Sequence, residues 1–99
     1  MTGKIKYEFS GKPWQHNATN GWYFISLPIE IAEEIRNALK SEEEGWGRLK
    51  TLAKIGVSEW KTAIWFDTKM KTYLLPLKAE IRRRENIGIG DEIGVSIWL

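Results

Sequence analysis

The sequence predicts a small, mainly β domain: a barrel with two short capping helices, built from two related halves. The prediction rests on a series of strand-like stretches and on one strand–helix–strand pattern that occurs twice. In the first copy, Leu27-Pro28 precedes a helix, and Gly45-Trp46-Gly47 then precedes a strand. In the second copy, Leu75-Pro76 precedes a helix, and Gly88-Ile89-Gly90 then precedes a strand. This duplication predicts an internal two-fold repeat.

The strands are predicted from alternating apolar and polar residues and from their β-branched and aromatic content. In Lys4–Phe9, for example, Ile5, Tyr7 and Phe9 share one face. Arg48–Val57 is a strand by the same criterion, with Val57 on its apolar face. Further strands are predicted at 22–27, 60–66, 72–75 and 93–99, and a loop or irregular hairpin at 14–21. Strands this apolar need hidden edges, and closing the sheet into a barrel removes the edges.

Two helices are predicted, at 28–40 and 78–86. Pro28 suits the first turn of a helix, because its missing N–H would have no partner there. Both helices carry the tripeptide Glu-Ile-Arg, at 34–36 and at 80–82. The acidic stretch 41–45 between the first helix and the next strand is expected to be a solvated loop.

The composition fits one globular domain, residues 1–99, with 42% hydrophobic and 28% charged residues. The formal net charge is only +2, so the sequence predicts no strong overall attraction to polyanions. The chain has no cysteine, which excludes disulfide and thiolate chemistry. Neither a signal peptide nor a membrane-spanning run is found, so we expect a cytoplasmic protein without membrane contact. The richness in Ile, Lys and Glu is typical of hyperthermophile proteins.

Several short motifs carry a family resemblance. They are Trp22, Leu27-Pro28, Trp60-Lys61-Thr62, Leu75-Pro76, Ile81-Arg82, Gly90-Asp91 and Ile93. Together they resemble the signature of the domain-of-unknown-function family 1905 (DUF1905), over nearly the whole chain. The resemblance implies a double-split β-barrel capped by helices.

The tail is also similar to the swapped-hairpin barrels of transition-state regulators and antitoxins, which bind DNA as intertwined dimers. The strongest basic feature lies there: Lys78 with Arg82, Arg83 and Arg84 would contact phosphates. Alternatively, these arginines complement the helix dipole and pair with neighbouring glutamates. The nearly neutral net charge favours the second interpretation, so we expect no nucleic-acid partner.

Six tryptophans are the most unusual feature of the composition. Trp60 and Trp65 lie on opposite faces of one strand, so one of them must face inwards. Tryptophans outside the core predict an aromatic and basic groove for a small anionic or peptide-like ligand. Its predicted residues are Trp22, Trp46, Arg48, Lys61, Trp65 and Tyr73. The alternative is that the tryptophans only fill a well-packed barrel.

Catalytic chemistry has little support in the sequence. His16 is the only histidine, and no serine is flanked by the glycines of a nucleophile elbow. The glutamates at 42–44 lack ligand spacing, so we expect neither metal nor cofactor. The sequence therefore favours a non-catalytic binding module without identifying its ligand. Nucleic-acid binding and an uncharacterised enzyme are the alternatives, and both a monomer and a homodimer remain open.

Overall fold

The computed structural model describes residues 5–16, 21–43 and 45–99, without the side chain of Trp46. Seven strands and two α-helices make up this part of the chain. In chain order they are β1 (Lys6–Gly11), β2 (Trp14–Gln15), β3 (Tyr23–Ser26), α1 (Ile29–Leu39), β4 (Arg48–Ile55), β5 (Ser58–Asp67), β6 (Thr72–Leu77), α2 (Ala79–Arg84) and β7 (Ile93–Trp98). Two short 3₁₀ turns, Lys40–Glu42 and Gly45–Gly47, lie between α1 and β4.

All strands belong to one antiparallel sheet with the order β1-β7-β4-β5-β6-β3-β2. The two outermost strands, β1 and β2, are separated only by Lys12 and Pro13. One continuous stretch therefore pairs with β7 through its first part and with β3 through its last part. The sheet has to curl to satisfy both pairings, and it forms a half-barrel. The predicted mainly β fold with two short helices is confirmed.

The strand order relates the two halves of the chain. β3 pairs with β6 and β4 pairs with β7, while α1 joins β3 to β4 and α2 joins β6 to β7. β5 lies between β4 and β6, as the β1–β2 stretch lies between β7 and β3. Exchanging the halves therefore leaves the pattern of pairings unchanged, which is the two-fold repeat that the sequence predicted.

The two Leu-Pro motifs occupy different places, which corrects one detail of that prediction. Pro28 directly precedes α1, whereas Pro76 lies within β6 opposite Phe24. The backbone carbonyl of Tyr73 accepts the Leu27 N–H, so the backbone polar groups of Tyr73 point towards β3. Successive residues of a strand point their backbone polar groups in opposite directions, so those of Leu74 and Pro76 point towards β5. Pro76 has no N–H to donate, and the β5–β6 ladder ends before it, at the Trp65–Leu74 pair. Pro76 therefore ends a strand pairing, and α2 begins three residues later.

The core lies on the inner face of the half-barrel. Successive side chains of a strand point alternately to the inner and to the outer face, so every second residue contributes to the core. Each helix adds a buried isoleucine, Ile35 from α1 and Ile81 from α2. The core residues of the strands include Tyr7, Phe9, Ile25, Leu49, Ala53, Ile55, Trp60, Ile64, Tyr73, Leu75, Val95 and Ile97. Val57 was wrongly predicted on the apolar face. It is 88% exposed, because β4 ends at Ile55 and the chain turns at Gly56.

The β4–β5 turn is tied to the end of α2. Gly56 has a left-handed backbone, with φ of 59°, and the Glu85 carboxylate lies where a Cβ would be. Glu85 Oε2 accepts a hydrogen bond of 2.6 Å from the hydroxyl of Ser58, which is almost fully buried. The missing side chain at Gly56 thus gives the carboxylate its place beside Ser58.

We expect Gly56→Ala to lower the free energy of unfolding by about 2 kcal/mol or more. Left-handed backbone costs a residue with a Cβ about 1–2 kcal/mol, and the displaced carboxylate loses a hydrogen bond worth about 1.5–3 kcal/mol. Urea unfolding followed by circular dichroism measures the loss.

Gly94→Ala is the matched control and should be nearly neutral, because a Cβ at Gly94 meets no atom within 4 Å and its φ is not positive. In a Glu85→Ala background, the cost of Gly56→Ala should fall to the backbone cost alone. An unchanged cost in that background would show that Glu85 is not coupled to the turn.

Candidate functional site

An aromatic cluster covers the outer face of β2, β3 and β5. We call Trp14, Trp22, Phe24 and Trp65 the outer aromatic cluster. The Trp22 and Phe24 rings are stacked, with centroids 6.3 Å apart at 15°. Trp65 lies 6.0 Å from Trp22 and 6.4 Å from Phe24, and Trp14 lies 5.3 Å from Phe24. The cluster buries Phe24 but leaves Trp22 61% and Trp65 36% exposed.

Strand register places these side chains together. Trp14 lies opposite Phe24, and its indole N–H donates a hydrogen bond of 2.9 Å to Ser26 Oγ. Leu74 lies between Ser26 and Trp65 in neighbouring strands. Facing residues of adjacent strands point to the same side of the sheet. Arg48 continues the row, because it lies opposite Trp65 on β4.

A pocket of about 400 Å³ opens beside Trp65 at this end of β5, and we call it the outer pocket. It is lined by Gly45, Arg48, Trp65, Phe66, Asp67 and Leu74. Among the described residues, its lining combines three apolar side chains with one guanidinium and one carboxylate. The carboxylate of Asp67 also accepts the Met70 N–H at 2.7 Å, which holds it in the turn that follows β5. The Asp67 carboxylate is therefore held in place at the edge of the pocket.

The structure brings three of the six predicted groove residues together: Trp65 and Arg48 line the outer pocket, and Trp22 contacts Trp65. Lys61 is exposed on β5 but does not line the pocket. Tyr73 lies fully buried on the inner face, away from the outer groove. The side chain of Trp46 falls outside the described residues, although its backbone belongs to the turn Gly45–Gly47 that borders the pocket.

Tyr73 belongs to a network behind the pocket that includes Glu43. The Tyr73 hydroxyl donates a short hydrogen bond to Glu43 Oε2, and Arg36 Nε lies 3.9 Å from the same oxygen. Burial, and then the Glu43 carboxylate, raise the pKa of Tyr73 well above its usual value. The acidic stretch 41–45 is therefore not wholly solvated as predicted. The Glu43 side chain is only 10% exposed, because it has two partners inside the domain.

Arg36 and Arg82 occupy the same position of the repeated Glu-Ile-Arg tripeptide, and each stacks on an aromatic ring. The Arg36 guanidinium lies 3.8 Å from the centre of the Phe66 ring, and that of Arg82 lies 3.7 Å from the centre of the Tyr23 ring. Such stacking is worth about 0.5–2 kcal/mol. The two arginines fix the helices to the hairpins β5–β6 and β2–β3. The repeat was visible in the sequence, but the partner rings were not.

The basic residues of α2 are partly engaged within the domain. Arg82 stacks on Tyr23, and its buried Nε has no hydrogen-bond partner among the described residues. Arg84 pairs with Glu80 at 3.1 Å, one helical turn away. Lys78 and Arg83 are exposed. Two of the four predicted phosphate contacts thus have structural roles, as the second interpretation of this helix expected.

Other chemistry has few candidates within residues 5–16, 21–43 and 45–99. His16 is exposed, and its side chain has no hydrogen-bond partner in this part of the chain. No three His, Cys, Asp or Glu side chains converge there in a way that could hold a metal ion. Neither described helix has the length and apolar character needed to cross a bilayer.

The architecture and the outer pocket define a small mainly β domain of the half-barrel type. The chain belongs to the DUF1905 family, a domain of unknown function, which it matches over residues 9–97. A comparison with curated proteins found no match. The family resemblance noted from the sequence motifs is thus confirmed, and the family description gives no activity.

We expect Tyr73→Phe to lower the free energy of unfolding by about 1–3 kcal/mol, because it leaves a nearly buried carboxylate short of a donor. The native pKa of Tyr73 is raised, so its contribution to stability is complete below about pH 10 and is lost at higher pH. Urea unfolding at neutral pH and above pH 10 measures both effects.

The variant should therefore lose stability less steeply than the wild type above about pH 10. Tyr23→Phe is the matched control, because its ring stacks under Arg82 while its hydroxyl has no hydrogen-bond partner in the described structure. Equal costs for the two variants would contradict a special role for the Tyr73–Glu43 bond.

Proposed function

We propose that this protein is a non-catalytic binding module that takes an apolar side chain of a peptide-like ligand in the outer pocket. The observation that carries the proposal is an open, mostly apolar pocket beside two exposed tryptophans, Trp22 and Trp65. Soluble domains rarely expose contiguous aromatic surface without using it for binding. Tryptophan and tyrosine supply much of the binding energy where proteins do meet partners.

The size of the pocket supports this choice of ligand. Ligand pockets typically enclose about 300–1,000 Å³, and the outer pocket encloses about 400 Å³. That volume suits one large side chain with a piece of backbone. Leu74 and the rings of Trp65 and Phe66 offer it apolar contact on several sides.

The charges of the pocket favour a peptide-like ligand over a small anion. Arg48 and Asp67 bring one positive and one negative charge to the same lining. A free anion attracted by Arg48 would be repelled by Asp67. A peptide backbone offers both a carbonyl acceptor and an N–H donor, so it can use both groups.

Non-catalytic binding is supported by the placement of the titratable groups. The described lining of the outer pocket contains no histidine, and the Asp67 carboxylate in it already accepts a backbone N–H. Tyr73, the group with the strongly raised pKa, is buried on the other face of the sheet, where a ligand in the outer pocket does not reach it.

We expect capped tripeptides with a central phenylalanine to bind the outer pocket, and capped trialanine not to bind. The test is an NMR titration of the ¹⁵N-labelled protein with each peptide at millimolar concentration. The phenylalanine peptide should shift the backbone amides of Gly45, Arg48, Phe66 and Leu74, which border the pocket. The amide of Val57, in the β4–β5 turn, serves as the internal control and should not move.

Trp65→Ala should weaken this binding by about tenfold, since the lost apolar contact is worth about 1.5 kcal/mol. Trp98→Ala is the matched control, because Trp98 is a half-buried tryptophan elsewhere on the outer face, next to Lys6. The proposal fails if the two peptides give the same shifts, or if the two variants bind equally well.

Nucleic-acid binding through Lys78 and the arginines of α2 is the alternative function. Few of these cations are available for phosphate contacts. Only Lys78 and Arg83 of the predicted four are exposed cations without a partner in the described structure. Two phosphate contacts would give a salt slope of only about −2. We therefore expect elution from a duplex-DNA column at low salt, unchanged by Lys78→Ala with Arg83→Ala. Retention that falls steeply with salt and disappears in the double variant would favour this alternative instead.

A further inference from the structure

A second pocket also borders Phe66. It also encloses about 400 Å³ and is lined by Ala32, Glu33, Arg36, Asn37, Phe66 and Lys71. Phe66 belongs to the lining of both pockets, so the two are neighbours at this residue. We call the second one the α1 pocket, because four of its lining residues belong to α1.

The α1 pocket differs from the outer pocket in its chemistry. Arg36 and Lys71 bring two cations to it and Glu33 brings one carboxylate, while Asn37 adds an amide that can donate hydrogen bonds. The Glu43 carboxylate next to Arg36 is not part of the lining, and it already accepts the Tyr73 hydroxyl. Glu43 Oε2 lies 3.9 Å from Arg36 Nε and partly compensates that guanidinium, so Lys71 is the cation of the lining that has no ion-pair partner among the described residues.

The two cations are held by the fold. The Arg36 guanidinium is stacked on the Phe66 ring and is only about one quarter exposed. Lys71 has a left-handed backbone, with φ of 57°, and its N–H donates to the Asp67 carbonyl at 2.7 Å. The Arg36 guanidinium is thus placed by its ring contact before any ligand arrives, which lowers the entropy lost on binding. For Lys71 the turn fixes the backbone from which the exposed side chain extends.

We propose that the α1 pocket binds the carboxylate of an acidic residue that lies next to the apolar residue in the same peptide. This inference rests on the proposed function of the outer pocket and specifies its ligand: an extended peptide with an apolar residue followed by an acidic one. Consecutive residues of an extended chain are about 3.3–3.6 Å apart, so one or two residues span the edge of an aromatic ring.

The two pockets differ in charge, so each is expected to recognise a different part of the peptide. The outer pocket selects the apolar side chain, and the α1 pocket selects the charge beside it. Glu33 opposes the acidic residue, so the preference is moderate and depends on salt. Because exposed ion pairs contribute modestly, the acidic peptide should bind about fivefold better than its neutral counterpart.

The test compares capped peptides that differ only in the acidic group: Phe-Ala-Glu with Phe-Ala-Gln, and Phe-Glu-Ala with Phe-Gln-Ala. Affinities come from NMR titration of the wild type at low and at high salt. We expect the better glutamate peptide to bind about fivefold more tightly at low salt, with the ratio falling towards one at about 0.5 M salt.

Two variants assign the preference to the α1 pocket. Lys71→Gln should remove most of the preference for glutamate, whereas Glu33→Gln should increase it, and both should leave the affinity for the glutamine peptides unchanged. Arg83→Gln is the matched control, because it removes an exposed cation of α2 outside both pockets.

The possible outcomes separate the two proposals. Equal binding of glutamate and glutamine peptides overturns the role of the α1 pocket and leaves the outer pocket as a binding site. The role of the α1 pocket is also overturned if Arg83→Gln reduces the preference for glutamate peptides as much as Lys71→Gln does. Failure of all four peptides to bind overturns both proposals.

Discussion

The architecture depends on one stretch of chain, residues 6–15, that pairs with both ends of the sheet. Its first part forms β1 and pairs with β7, and its last part forms β2 and pairs with β3. Between them the stretch crosses close to β3, and a Cβ at Gly11 would lie 2.6 Å from Ile25 Cγ2. A residue with a side chain would therefore collide with the core where the stretch changes partners. The curvature of the half-barrel, and with it the enclosed inner face, follows from this double pairing.

The curled sheet separates two kinds of aromatic residue. Those on the inner face, such as Trp60 and Tyr73, are buried in the core, where two helices pack through one isoleucine and one stacked arginine each. Those on the outer face, such as Trp22 and Trp65, contact each other without a covering helix. The core and the proposed binding surface thus lie on opposite faces of the same strands. Phe66 is the exception, because it contributes to the core and to both pockets.

The sequence predicted the elements well because their signals are local. Alternation along β1, β5 and β7 and the apolar stripe of α1 gave bounds within a few residues of those observed. The duplicated tripeptide gave the two-fold relation. What local signals could not give was the pairing of distant groups.

Glu43 lies among glutamates that resemble a solvated run, and only the fold brings it to Tyr73 and Arg36. Pro76 was predicted to follow the end of a strand, because the direction of its missing N–H depends on the neighbouring strand. Trp65 and Arg48 were singled out because the sequence is unusually rich in tryptophan and offers basic residues that could accompany it. The α1 pocket, in contrast, combines a helix with a distant turn and leaves no local pattern.

The pairing of β1 with β7 also has a consequence for how the chain is made. β1 leaves the ribosome before all the other strands, and its partner β7 leaves after all of them. Until β7 has been made, the apolar side chains of Tyr7 and Phe9 therefore lack the strand that later runs beside them. Pairings over such long sequence separations form slowly, because a large loop must close first. The nascent domain consequently carries an unmatched strand until its last described strand has been synthesised.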